Sequence, residues 1–206
     1  MLISRSQAGG HDTAHMTILT FSIATLLFVA CGQSKTPAAS QATKPNKAPA
    51  QQSTTTTKPE DFVATATTFV NLHKMTPVRF FFVANGLGHL DASLKVARSN
   101  DGGAYPVGTI IQLVPQEAMV KRAKGFNPNG NDWEFFFLET SEKGTKIATR
   151  GKNEVKNRFN GQCSACHMLA EPKWDFICEQ SHGCADLPIG RDVIKVIQDA
   201  DNRPLT

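Results

Sequence analysis

From residue 61 onward the chain switches between short runs with a period of two and short runs with a helical period. The stretch "VRFFFVANG", Val78 to Gly86, is a β-type run ended by Asn-Gly. "VGTIIQLVP", Val107 to Pro115, reads as a strand of mixed burial. "WEFFFLET", Trp133 to Thr140, is a further strand. Its alternation puts Trp133, Phe135 and Phe137 on one face and Glu134, Phe136 and Leu138 on the other. "SEKGTKIATRGK", Ser141 to Lys152, is expected to be a hairpin connection into another short strand. Helical spacing appears in Asp61 to Met75, where Phe62, Ala66, Phe69 and Val70 follow Pro59. It appears again in "GHLDASLKVARS", Gly88 to Ser99. In "QEAMVKRAKGF", Gln116 to Phe126, Glu117 and Lys121 stand at i and i+4 and Gly125 supplies a stop. In "GRDVIKVIQDAD", Val193, Ile194 and Ile197 share a helical face. "NDGGAYP" and "FNPNGND" are loop and turn. The pattern predicts an α+β domain over residues 61–206, predominantly an antiparallel β-sheet with flanking short helices and large enough for a core.

The first sixty residues follow a different pattern. "MTILTFSIATLLFVA", Met16 to Ala30, is apolar and uncharged. It is too short to span a bilayer comfortably and has the length of a signal-peptide core, which predicts a signal peptide over residues 1–30. The run ends in "FVACG", which resembles a bacterial lipoprotein box with Cys31 as the lipidated residue after cleavage. The alternative is an ordinary signal peptide, a chance cysteine and a soluble periplasmic protein. Residues 31–60 are rich in Pro, Ala, Thr, Ser and Gln and lack any apolar period. Such a composition cannot offset ordering entropy and predicts a flexible tether. The expected location is the periplasmic face of a bacterial membrane.

Charge divides along the same line. Of 22 Lys and Arg and 18 Asp and Glu, five and two precede residue 61, leaving 17 against 16 in the folded part. A nearly neutral domain gives no electrostatic footprint for nucleic acid.

Export changes the reading of the cysteines, because thiols outside the cytosol are oxidised or otherwise occupied. With Cys31 assigned to lipid, Cys163, Cys166, Cys178 and Cys184 remain, spaced C-x2-C-x11-C-x5-C. A four-thiolate zinc site would use all four but leaves His167 unexplained. A thioredoxin-like dithiol needs a strand leading into the motif and a lowered thiol pKa, and the preceding "NEVKNRFNGQ" is polar. The third reading is covalent haem attachment at "CSACH". Cys163 and Cys166 would form thioethers to haem c, and His167 would be the proximal iron ligand. This reading accounts for all three residue types and for export. Cys178 and Cys184 are then left to form a disulfide closing "CEQSHGC". His182 inside that loop is expected at the surface.

The order of "YPVGTIIQLV", "NDWEFFFLE" and a late "CSACH" resembles the cytochrome P-460 family, which includes the nitric-oxide-binding cytochromes c-prime-beta. The resemblance covers residues 61–206. It implies a predominantly β fold, often a homodimer, with one covalent haem open on its distal side. It further implies a small nitrogen-oxide ligand and a redox partner cytochrome. Members oxidise hydroxylamine or bind nitric oxide, and the enzymatic ones cross-link a lysine to the haem edge. Here Gln112 stands where that lysine is sought, and Lys121 and Lys124 lie further on. Phe135, Phe136 and Phe137 are candidates to cap the iron, and Glu134 to accept a proton beside it. His73, His89, His182, Met75 and Met119 are candidate sixth ligands. If one ligates, the alternative function is a six-coordinate electron-transfer cytochrome.

Overall fold

The computed structural model describes residues 60–179 and 181–205. The expected signal peptide, the lipid-bearing Cys31 and all but the last residue of the expected tether lie outside those residues. Among the described residues, no helix is long and apolar enough to cross a membrane.

Six strands form one antiparallel sheet in sequence order: β1 (Thr76–Val78), β2 (Phe81–Asn85), β3 (Thr109–Val114), β4 (Glu117–Lys121), β5 (Trp133–Ser141) and β6 (Gly144–Gly151). Among the described residues three α-helices accompany it: α1 (Leu90–Ala97), α2 (Cys163–His167) and α3 (Arg191–Asp199). The expected α+β class, a mainly antiparallel sheet with short helices, is the observed one.

Both faces of the sheet are covered. One face buries Val78, Phe81, Val83, Ile111, Met119, Trp133 and Phe135 against Leu94 and Ala97 of α1 and against Val155 and Ile177. The other buries Ile110, Ala118, Val120, Phe136 and Leu138 against Ala64, Phe69, Leu72 and Met75 of the N-terminal segment. A strand covered on both sides has no polar face to offer, which is why "TIIQLV" and "WEFFFL" read as continuous apolar runs. Within β5 the alternation holds: Trp133 and Phe135 lie in one cluster, Phe136 and Leu138 in the other.

Two predicted helices are absent. Gln116–Phe126 contains β4, which pairs with β3 (Ile111 with Met119) and with β5 (Met119 with Phe135). Glu, Ala, Met and Lys all favour helices, but apolar Ala118, Met119 and Val120 are needed on both faces of a central strand, and that burial overrides weak local preference. Residues 61–75 form two short 3-10 turns, Ala66–Thr68 and Leu72–Lys74. The segment is instead tied down by the C-terminus. The Asp201 carboxylate accepts from the Leu72 amide at 2.8 Å, and Asn71 Nδ2 donates to the carbonyls of Asp201 (3.1 Å) and Arg203 (2.7 Å).

Asp61 fastens the start of the domain. It accepts from Arg122 at 3.1 and 2.8 Å and from the Ala123 amide at 2.8 Å. The Arg122 hydrogen bond holds its carboxyl down at about 2, below the usual 3.8. A carboxyl depressed in the folded state stabilises above its unfolded value and loses that contribution as pH falls. Stability should therefore drop between about pH 4 and pH 2 in acid titrations monitored by circular dichroism, and Asp61→Asn should flatten that part of the curve. On the same face of the sheet, Phe136→Ala should cost about 3–5 kcal/mol in chemical denaturation, because the buried ring packs at a tilt against Phe69, centroids 4.8 Å apart.

Candidate functional site

The segment from Val155 to Cys184 folds over the α1-covered half of the molecule and carries the cysteine-histidine motif. Lys156 bridges to Gln162, and the Cys163 amide donates to the Val155 carbonyl at 3.0 Å. This closes a turn that launches α2. Within α2, Cys163, Cys166 and His167 occupy i, i+3 and i+4, positions that share one side of a helix. Cys163 and Cys166 are unbridged and half-buried.

The imidazole of His167 is fixed from two directions. Its ring lies 5.3 Å from that of Phe135. Its Nδ1 is 2.7 Å from the Phe176 carbonyl oxygen, which can only accept, so Nδ1 carries the proton. The Nε2 lone pair is then the one free to ligate, in the arrangement that orients most metal-bound histidines. Burial pushes the His167 pKa down, which favours the neutral ligating form.

Phe176 reaches this position through unusual backbone. Asp175 and Phe176 both have positive φ, 51° and 62°. Asp tolerates the left-handed region and Phe does not, so each such residue costs about 1–3 kcal/mol that the surroundings must offset. They do so through Asp175. Its carboxylate, 2% exposed, accepts from Lys121 Nζ at 2.7 and 2.9 Å, from the Tyr105 amide at 2.7 Å, from Trp133 Nε1 at 3.3 Å and from Asn131 Nδ2. Trp133 Nε1 also donates to the Asp175 carbonyl at 2.8 Å. Burial pushes Lys121 down and Asp175 up, and each partner partly offsets the shift of the other.

Cys178 and Cys184 form a disulfide. Cys178 Sγ lies 3.7 Å from the Cys166 carbonyl oxygen, so the bridge abuts the motif. Inside the loop, His182 is buried, contrary to its expected surface position. It stacks on Trp174 with ring centroids 3.8 Å apart, and its Nδ1 is 2.8 Å from the Ile177 carbonyl oxygen. The Glu171 amide donates to the His182 carbonyl at 2.8 Å, and Gly183 (φ 96°) sits where an added Cβ would meet the Leu169 carbonyl at 3.0 Å. Only glycine suits that approach.

Other candidate residues fall on both sides of the sheet. Glu134 and Phe136 face away from His167. Arg122 and Arg150 take both Glu134 oxygens, at 2.5 and 2.7 Å, and Arg150 lies over the Phe136 ring. Strand alternation therefore removes this pair from the motif. Phe135 stands beside the His167 imidazole itself, and Phe137 shares its face, half-buried. Gln112 is paired across from Phe82 and Ala118 on the far face, while the Lys121 ammonium is engaged by Asp175 and the Asn131 carbonyl. Among the sixth-ligand candidates, Met75 lies in the far core, His73 is exposed, and exposed His89 lies 3.3 Å from Glu60. Met119 shares the sheet face that includes Phe135.

One further carboxylate belongs to the His167 side. Glu117 on β4 is opposite Phe137, accepts from the Arg158 amide at 3.3 Å, and is pushed up by burial. On a strand, unlike the expected helix, Glu117, Met119 and Lys121 share one face.

The disulfide and the burial of Cys163 bear on the three thiol chemistries. With Cys178 and Cys184 bonded to each other, too few thiols remain for a four-thiolate zinc site. Among the described residues no group of three or more His, Cys, Asp or Glu could hold a metal ion. A haem asks the protein for one axial side chain. Burial, and secondarily Glu117, pushes the Cys163 thiol up to about 12, the opposite of what a redox dithiol needs. Exposed Phe159 (49%), Met168 (47%) and Leu169 (57%) add apolar surface in and next to the motif, suited to an apolar macrocycle. The residues present fit covalent haem. Set beside known proteins, the chain matches no family model, no curated protein and no solved structure.

The disulfide closes a short loop, and its removal by Cys178→Ser with Cys184→Ser should cost about 2–3 kcal/mol in chemical denaturation. Thiol labelling of the unreduced, denatured chain should leave both cysteines unreacted; two labelled thiols at these positions would contradict the bridge.

Proposed function

We propose that residues 61–206 form an exported c-type haem domain of the cytochrome P-460 type that binds or oxidises a small nitrogen oxide, nitric oxide or hydroxylamine. The observation that carries this reading is the His167 imidazole, placed by "CSACH" beside two unbridged cysteines and donating Nδ1–H to the Phe176 carbonyl at 2.7 Å. Bound there, a haem supplies an iron able to ligate such a molecule and exchange electrons with it. The chain supplies the rest. Cys163 and Cys166 hold the macrocycle, His167 presents Nε2, and Phe135 keeps the imidazole from rotating. Phe137 contributes an apolar surface on the same face, which favours small neutral ligands over anions. A partly buried Glu117, protonated more readily than an exposed carboxylate, can hold a proton on this side of the sheet. Glu134 cannot, since both its oxygens are taken by arginines on the other side. Lys121, in its pair with Asp175, supports the site and is not read as a haem cross-link. In the full protein, the lipid on Cys31 and the tether to residue 60 would keep the domain at the membrane, in reach of a redox partner cytochrome, and the domain would form a homodimer.

The optical spectrum of purified protein, ferric and ferrous, tests this reading. The expected result is a five-coordinate high-spin haem whose Soret band shifts on adding nitric oxide. A six-coordinate, low-spin spectrum indifferent to nitric oxide would instead support the electron-transfer alternative. A red-shifted ferrous Soret band would mean that a lysine is cross-linked to the haem after all.

A further inference from the structure

We infer that Asp175 is the positioning residue of the proximal ligand: clamped by Lys121, Asn131, Trp133 and the Tyr105 amide, it holds the Phe176 carbonyl against His167 and so decides which imidazole nitrogen faces the iron. The inference rests on the haem reading of "CSACH" and deepens it. Two consecutive left-handed residues point the Phe176 carbonyl at Nδ1, and phenylalanine has no local reason to stay there. The restraint comes from the sheet. Trp133 Nε1 holds the Asp175 carbonyl at 2.8 Å, which fixes the peptide plane entering Phe176. Four groups then hold the Asp175 side chain, so the residue cannot swing. Two positions along the same face of β5, Phe135 packs on the imidazole ring. One strand thus sets both the ring of the ligand, through Phe135, and the acceptor behind it, through Trp133 and Asp175. Lys121 has three donors, directed to the two Asp175 oxygens and to the Asn131 carbonyl at 2.6 Å, and so holds the buried carboxyl group in place. A hydrogen bond to a carbonyl makes an imidazole a stronger donor to its metal, so the clamp strengthens the iron–histidine bond.

The test uses the iron–histidine stretching band of the ferrous protein, measured by resonance Raman spectroscopy on the full chain. Lys121→Met with Asp175→Ala removes the carboxylate together with its buried cation, so that no uncompensated charge is left in the core. Trp133→Phe keeps most of the ring volume and deletes only the indole donor, and serves as the second variant should the double substitution fail to fold. Both are expected to keep covalent haem and to shift the stretching band to lower frequency with broadening. A folded variant of either kind with the band at its wild-type position would overturn the inference, because a merely stabilising pair would lower the denaturation midpoint and leave the band alone. If the wild-type chain carries no covalent haem, the haem reading fails separately, and nitrogen-15 shifts of the His167 ring then decide the clamp. The Nδ1–H tautomer in wild type and a mixture in Trp133→Phe would support it, and unchanged shifts would overturn it.

Discussion

The arrangement of the molecule turns on one buried carboxylate. Asp175 takes a negative charge out of water, and an uncompensated charge there would cost several kcal/mol. Its donors come from three separate stretches: Tyr105 before β3, Lys121 at the end of β4, and Asn131 with Trp133 around the start of β5. They converge only when β3, β4 and β5 are paired in register. The segment bearing the cysteines and histidine therefore docks on a completed sheet. Once docked, it is held at the residue immediately before the one whose carbonyl meets His167.

The two-sided sheet makes this possible. A sheet with one wet face would place polar side chains along every second position of β5. Along the first half of β5 both faces are buried, so successive residues do different work. Glu134 and Phe136 join a cation-rich pocket with Arg122 and Arg150 and pack the N-terminal segment. Trp133 and Phe135 support the motif. The disulfide adds a second fastening, the Trp174–His182 stack folds its loop onto the same segment, and the Arg79–Glu179 ion pair pins the loop to the turn between β1 and β2.

Much of this was legible along the chain, for identifiable reasons. The alternation of "WEFFFLET" declares which rings share a face, because a strand has only two. The helices at Leu90–Ala97 and Arg191–Asp199 have one apolar stripe each and turn it toward the sheet, where local pattern and tertiary demand agree. The pairing of Cys178 with Cys184 follows from counting thiols. By contrast, Glu117–Lys121 is composed of good helix formers and is a strand only because its neighbours on both sides are strands. His182 was expected at the surface because nothing in "CEQSHGC" reveals Trp174 waiting to stack on it. Asp175 was invisible for the same reason: Tyr105, Lys121, Asn131 and Trp133 are all more than forty residues away, and no local spacing encodes a partner at that distance.

Everything argued for the site depends on whether Cys163 and Cys166 carry a macrocycle. The most direct measurement is the mass of the denatured chain, followed by that of the proteolytic fragment containing both residues, with alkylation to count free thiols. The expected fragment is heavier by one haem, with neither Cys163 nor Cys166 alkylated. A fragment of unmodified mass with two alkylated thiols, or haem that extracts freely from the intact protein, would contradict it.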